Sequence, residues 1–234
     1  MLALVRLSSL LALFLVACAS VDPGGAPGPP AEPPAFRVGD RWVYEGQDGF
    51  RAPVRWQETH EVVAVGPQGT TVRIVASGDG IDVQRTEQWI APGLVERGAV
   101  YGFETKRFDP PLSRYSYPLV PGMQWSQRVR DANAARGPYG PIDRYTTVGG
   151  YERITTPAGT FDTIRLRVLM RLDDETFWRT PTDCNYFVWY APALGIAVRE
   201  ERDAEYREKS DPAVPMAMVR VQHATLTLVS MTRR

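Results

Sequence analysis

Few side chains in this sequence could carry chemistry. Only two histidines occur, His60 and His223, and neither has a metal-ligand spacing such as H-E-x-x-H around it. A G-x-S-x-G elbow, a phosphate-binding glycine loop and a dinucleotide fingerprint are all missing. His60 sits in Gln57-Glu58-Thr59-His60-Glu61, strand-like text in which a half-buried sheet histidine is the plain reading. Carboxylates are more numerous. Asp79 and Asp82 flank Gly80, and Asp173-Asp174-Glu175 lies between two strand-like runs, both patterns that suit hairpin turns. Glycoside hydrolysis needs only two carboxylates at a set spatial separation, so a carboxylate-dependent hydrolase stands as an alternative. Neither a cofactor nor a metal is expected.

Two cysteines complete the reactive groups. Cys18 follows Leu15-Val16-Ala17 at the end of an apolar run of ten residues, Leu7 to Val16, behind the single charge of Arg6. Such a run is too short to cross about 30 Å of hydrocarbon as a helix and matches a signal-peptide core. Leu15-Val16-Ala17-Cys18 resembles the lipobox of bacterial lipoproteins. The resemblance implies removal of residues 1–17, diacylation of the Cys18 thiol and N-acylation of the new terminus. Ala19, where an Asp would signal inner-membrane retention, is similar to outer-membrane sorting, with the chain facing the periplasm. Residues 19–35 hold six Pro and three Gly in seventeen positions, so 18–35 reads as an acylated Cys with a solvated spacer. Once Cys18 is acylated, Cys184 has no intramolecular partner and reads as a small buried apolar residue.

The elements that must position any site lie in 36–234. With 44% hydrophobic residues and 27 basic against 27 acidic residues in 234, the chain reads as globular, and a strongly basic nucleic-acid binder is disfavoured. Twenty Gly, twenty Pro and many aromatics suit short strands joined by tight turns. Three anchors recur in order: G-x-x-W at Gly39 and Gly122, P-x-G-T at Pro67 and Pro157, and W-x-A-P at Trp89 and Trp189, with offsets of 83, 90 and 100 residues. Each has a mechanical sense as a turn glycine before a strand, a hairpin turn, or a strand end set by proline. The expectation is an all-β domain, an internally duplicated antiparallel meander forming a curved sheet, half-barrel or open barrel with an apolar concave side. Its repeats are about 36–108 and 115–230, joined by an Asp109-Pro110-Pro111 break. Pro157 to Phe161 and Trp189 to Gly195 are similar to uncharacterised envelope lipoprotein β-domains, a resemblance that implies no known chemistry.

Function is expected where the halves differ, on loops and exposed rows. The insertion 131–143 presents Tyr139, and the aromatic run 177–187 presents Trp178 and Tyr186. Arg165, Arg167 and Arg171 alternate on one strand face and could grip an anionic headgroup, or form a charge ladder with Glu201, Asp203 and Glu205. The reading is a membrane-tethered, non-enzymatic β domain that binds an apolar ligand on its concave face or an envelope protein on its loops, with a structural lipoprotein as a further alternative. Replacing Cys18 by Ser should leave an unprocessed or mislocalised precursor; a mature chain whose Cys18 is unmodified by mass spectrometry would end the lipidation reading.

Overall fold

The computed structural model describes residues 25–132, 140–209 and 217–234; the leader, Cys18 and Tyr139 lie outside the described residues. Twelve antiparallel strands follow one another around a closed barrel. They are β1 (Arg41–Asp48), β2 (Val54–Gly66), β3 (Gly69–Gly78), β4 (Ile81–Ala91), β5 (Leu94–Gly98) and β6 (Lys106–Ser113), then β7 (Gln124–Asp131), β8 (Ile142–Thr156), β9 (Gly159–Leu172), β10 (Thr182–Ala191), β11 (Ile196–Arg207) and β12 (Met218–Thr232). Each strand pairs with its chain neighbours, and β12 closes on β1. The all-β meander expected from the sequence is observed, and its open edge is absent because closure uses it up.

Alternation explains which side chains face inward. On β9, Ile164, Leu166, Val168, Met170 and Leu172 are buried while Arg167, Leu169 and Arg171 are exposed. On β3, Val72, Ile74 and Ala76 are buried in the same rhythm. The G-x-x-W tryptophans are the second residues of β1 and β7, the P-x-G-T turns join β2 to β3 and β8 to β9, and the W-x-A-P tryptophans lie near the ends of β4 and β10. Gly69 shows why such a turn position is glycine: its φ is 96°, and a Cβ there would meet the Trp89 carbonyl oxygen at 2.0 Å. The last anchor differs between halves. Trp89 lines the interior, whereas Trp189 lies opposite the outward Arg165 and donates to Glu152 on the outer face.

The weakest seam is between β6 and β7, where only Phe108↔Asp131 and Asp109↔Arg130 pair. Pro110 and Pro111 do not break the chain between two halves as expected; they lie within β6, beside a register shift in its pairing with β5. Prolines cannot donate to a ladder, so side chains take over. The Gln127 amide accepts from Ser113 N–H at 2.7 Å and donates to the Pro111 carbonyl at 2.8 Å, reproducing a strand's two hydrogen bonds. Trp125 Nε1 and Arg144 Nη1 both donate to the Ser113 carbonyl, at 3.1 and 2.9 Å.

The proline-rich segment is not wholly a solvated spacer. Ala26 exchanges two backbone hydrogen bonds with Tyr151 on the edge of β8 beyond the start of β7, and Ala31 two with Leu119 in the segment between β6 and β7. Ala31 is fully buried, and the Phe36 ring stacks on Trp42 and meets Trp89 edge-on. Gln127→Ala should lower unfolding free energy by about 1 to 3 kcal/mol, as expected for leaving partly buried backbone groups unsatisfied, and should speed amide exchange at Ser113. Gln124→Ala, at an exposed position of the same strand, should leave denaturant unfolding unchanged.

Candidate functional site

The barrel interior is not purely apolar. A cavity of about 150 Å³ lies inside it, lined by Leu166, Val168, Met170 and Val188 together with charged side chains. The strand alternation that buries Trp56 and Val62 on β2 also turns Glu58 and His60 inward; on β4 it turns Arg85 and Glu87 inward along with Trp89. This corrects the expectation of an apolar concave side: twelve strands enclose more width than hydrocarbon side chains alone fill, and long polar chains occupy part of it.

Each interior carboxylate has an arginine. Arg85 Nη2 donates to Glu58 at 3.2 Å, Arg114 Nη1 to Glu87 at 2.8 Å, and Arg202 Nη2 to Glu200 at 2.6 Å. His60 Nε2 lies 2.6 Å from the same Glu58 oxygen, and Trp89 Nε1 donates to Glu87 at 2.9 Å. Burial alone would raise the Glu58 carboxyl, but the hydrogen bond and charge of His60, then Arg85, outweigh it and hold it at about 2. Glu87 is likewise fully desolvated, and Arg114 with Trp89 brings it to about 2. Arg144 rests on the Ser113 and Arg114 carbonyls, and burial together with the neighbouring Arg114 lowers it to about 10. The Nε and Nη1 atoms of Arg85, Trp56 Nε1 and Thr146 Oγ1 are buried without a hydrogen-bond partner.

Tyrosines complete the wall. Tyr44 donates to the Ala197 carbonyl at 2.7 Å, and Tyr117 to the Tyr190 hydroxyl at 2.8 Å. Tyr186, one of the expected contact residues, does line the cavity, and its hydroxyl donates to Gln222 Oε1 at 2.7 Å. Cys184, two residues before it, is buried, and desolvation pushes its thiol to about 12, which keeps it unreactive.

Of the other expected contact residues, Tyr139 lies outside the described residues, and Arg165, Arg167, Arg171 and Trp178 are not brought to this site. Arg165, Arg167 and Arg171 face outward on β9, with Arg165 Nε at 3.5 Å from Glu152 and Arg167 Nε donating to Asn185 at 3.1 Å. Both Arg165 and Arg167 stack over Phe187. The charge ladder to Glu201, Asp203 and Glu205 does not form, because β10 intervenes between β9 and β11. Those acids pair instead with Arg199, Arg220 and His223. Trp178 sits at the far end of the barrel with its edge against Tyr206, beside Arg179 and its ion pair to Asp174. His223 is likewise outside, stacked on Phe50 at 4.1 Å. The interior charges escaped the sequence reading although a signal was present: Glu58, His60, Arg85 and Glu87 all fall on the apolar phase of their strands.

No family model and no curated protein matches the chain. Among solved structures, a candidate lipoprotein from Parabacteroides distasonis is similar over 87% of this chain and 98% of its own, at 15% identity and a TM-score of 0.48. A candidate exported protein with YmcC-like fold from Bacteroides fragilis is similar over 87% and 100%, at 12% identity and the same TM-score of 0.48.

The low carboxyl values of Glu58 and Glu87 carry a pH dependence with a definite sign. Their stabilisation is complete above the ordinary value of 4.5 and is lost as pH falls from there towards about 2, where both protonate in the fold. Melting temperature should therefore drop steeply over that interval and less so in Glu87→Gln, which starts lower. A flat profile from pH 5 to about pH 2 would show that the interior pairs do not hold the barrel.

Proposed function

We propose that this chain is a non-enzymatic lipoprotein of the cell envelope, anchored through acylated Cys18, and that its barrel binds a compact ligand in the interior. The lipobox supports the anchor and Ala19 an outer-membrane location facing the periplasm, with residues 1–17 removed. The six-strand spacing of the G-x-x-W and P-x-G-T anchors supports a barrel built from two repeats in one domain.

The observation that carries the binding reading is the cavity itself: largely apolar lining with a small set of polar groups is the usual make-up of a ligand site. At about 150 Å³ it suits a compact molecule and not an extended acyl chain. The outer face carries the exposed pairs Arg73–Glu61, Arg153–Asp162 and Arg107–Glu96, where a lipid-embedded barrel presents an apolar band, so this barrel stands in water beside its membrane. Glu58 and Glu87, ionised and held by cations, are acceptors only and do not supply the proton that acid-assisted glycoside hydrolysis requires. A second reading, a protein partner on the loops, is favoured by Phe50 and Phe177, 65% and 91% exposed at the same barrel end as Trp178.

Native mass spectrometry of the full chain extracted from its membrane separates these readings. Wild-type protein should carry a small non-covalent mass that is absent from Val168→Phe, which fills the cavity. An identical set of non-covalent adducts on the two proteins, or none on either, would sink the ligand reading, and co-extraction of a protein that depends on Phe177 would replace it.

A further inference from the structure

We infer, resting on that reading, that the cavity's ligand is a compact organic carboxylate whose anionic group is taken by the arginine-rich part of the wall. The charges lining the cavity do not balance. Three acids are matched by three arginines, Glu58 by Arg85, Glu87 by Arg114 and Glu200 by Arg202. Arg144 is a fourth lining arginine with no carboxylate partner among the described residues; two backbone carbonyls satisfy its donors without offsetting its charge. With His60 neutral the wall carries one positive charge in excess, and with His60 protonated it carries two.

Arg85 gives a second, independent sign. Its side chain is nine-tenths buried and lines the cavity, yet only Nη2 is used, on Glu58; Nε and Nη1 have no acceptor. Buried donors in folded proteins are nearly always matched, and an unmatched pair on a cation marks a place where an acceptor belongs. A carboxylate meets both needs at once, since it supplies acceptor oxygens to Arg85 and a negative charge against the surplus from Arg144. Such an interaction is strong here because the site is desolvated and the walls are already charged and fixed.

Size and wall chemistry define the rest of the ligand. An apolar cavity of about 150 Å³ is what accommodates a single benzene ring. Leu112, Leu166, Val168 and Met170 supply the apolar part of the lining, with Met170 paired beside Arg144 across the β8–β9 ladder. One ring or a short branched chain bearing one carboxylate therefore fits, and a neutral molecule of the same shape leaves the surplus charge unanswered.

Isothermal titration of the full, detergent-extracted chain with benzoate and with its neutral isostere benzamide tests this. Benzoate should bind at least tenfold more tightly than benzamide, Arg85→Gln should lose that preference, and Val168→Phe should bind neither. Equal affinity for the two probes overturns the charge inference while leaving the compact-ligand reading in place. Binding of neither probe overturns both. Benzoate binding that survives in Val168→Phe places the probe elsewhere and also ends the proposal. If Arg85→Gln does not fold, the probe ratio in the unaltered protein and the Val168→Phe result decide alone.

Discussion

A long sheet becomes a barrel only if its least compatible pair of neighbours can still be joined, and here that pair is β6 and β7. The two prolines of β6 remove consecutive N–H donors along the weakest seam of the barrel, and the surrounding residues are arranged around the deficit. Gln127 presents a peptide-like group from a side chain, Trp125 and Arg144 converge on the Ser113 carbonyl, and the amino-terminal segment covers the β8 edge just beyond. Without that closure the interior cavity would be a groove open to water, and its ion pairs would be screened surface contacts worth little.

Closure thus changes what the interior charges are. Salt bridges in a buried site give modest net stability, because desolvating both partners offsets most of their attraction; removing one partner is far more costly. The interior pairs are therefore better viewed as fixed dipoles and charges, with Glu58, Arg85, Glu87, Glu200 and Arg202 placed by β2, β4 and β11 and Arg114 by the segment after β6. Tyr44, Tyr117, Tyr186 and Tyr190 contribute in the same way, each with its hydroxyl bonded to a named partner on another element. Under the proposed binding role, a rigid lining of mixed polarity would favour discrimination between ligands of equal size over sheer affinity.

Much of this fold was legible in the sequence. Alternation along Ile164 to Leu172 identified a strand and its buried side, and the recurring turns located hairpins at Pro67 and Pro157 that the structure contains. What alternation could not supply was the partner of each strand, so Arg165 and Glu201 were free to be imagined as neighbours until β10 was seen between them. It also hides the difference between an inward charge and a misplaced one. Glu87 lies on the apolar phase of β4, and only the folded chain shows Arg114, 27 residues later, coming to meet it. The proline-rich segment differs from its composition for a related reason: composition describes how it behaves alone, while the edge of β8 at Tyr151 gives Ala26 a place to dock and the Leu119 backbone gives Ala31 one.

Under the proposed anchor, that docking would set the geometry of the protein at a membrane. If Cys18 is the anchored residue, the leash is no longer the whole segment to residue 35 but the seven residues from there to Gly25, at most about 25 Å when fully extended. A leash that short limits the barrel to a shallow zone above the lipid headgroups and restricts how far it can tumble. The barrel end holding the P-x-G-T turns, Phe36 and the carboxy terminus shares that side with the leash, so the opposite rim, where Phe50 and Phe177 project, is the one offered to the surrounding compartment.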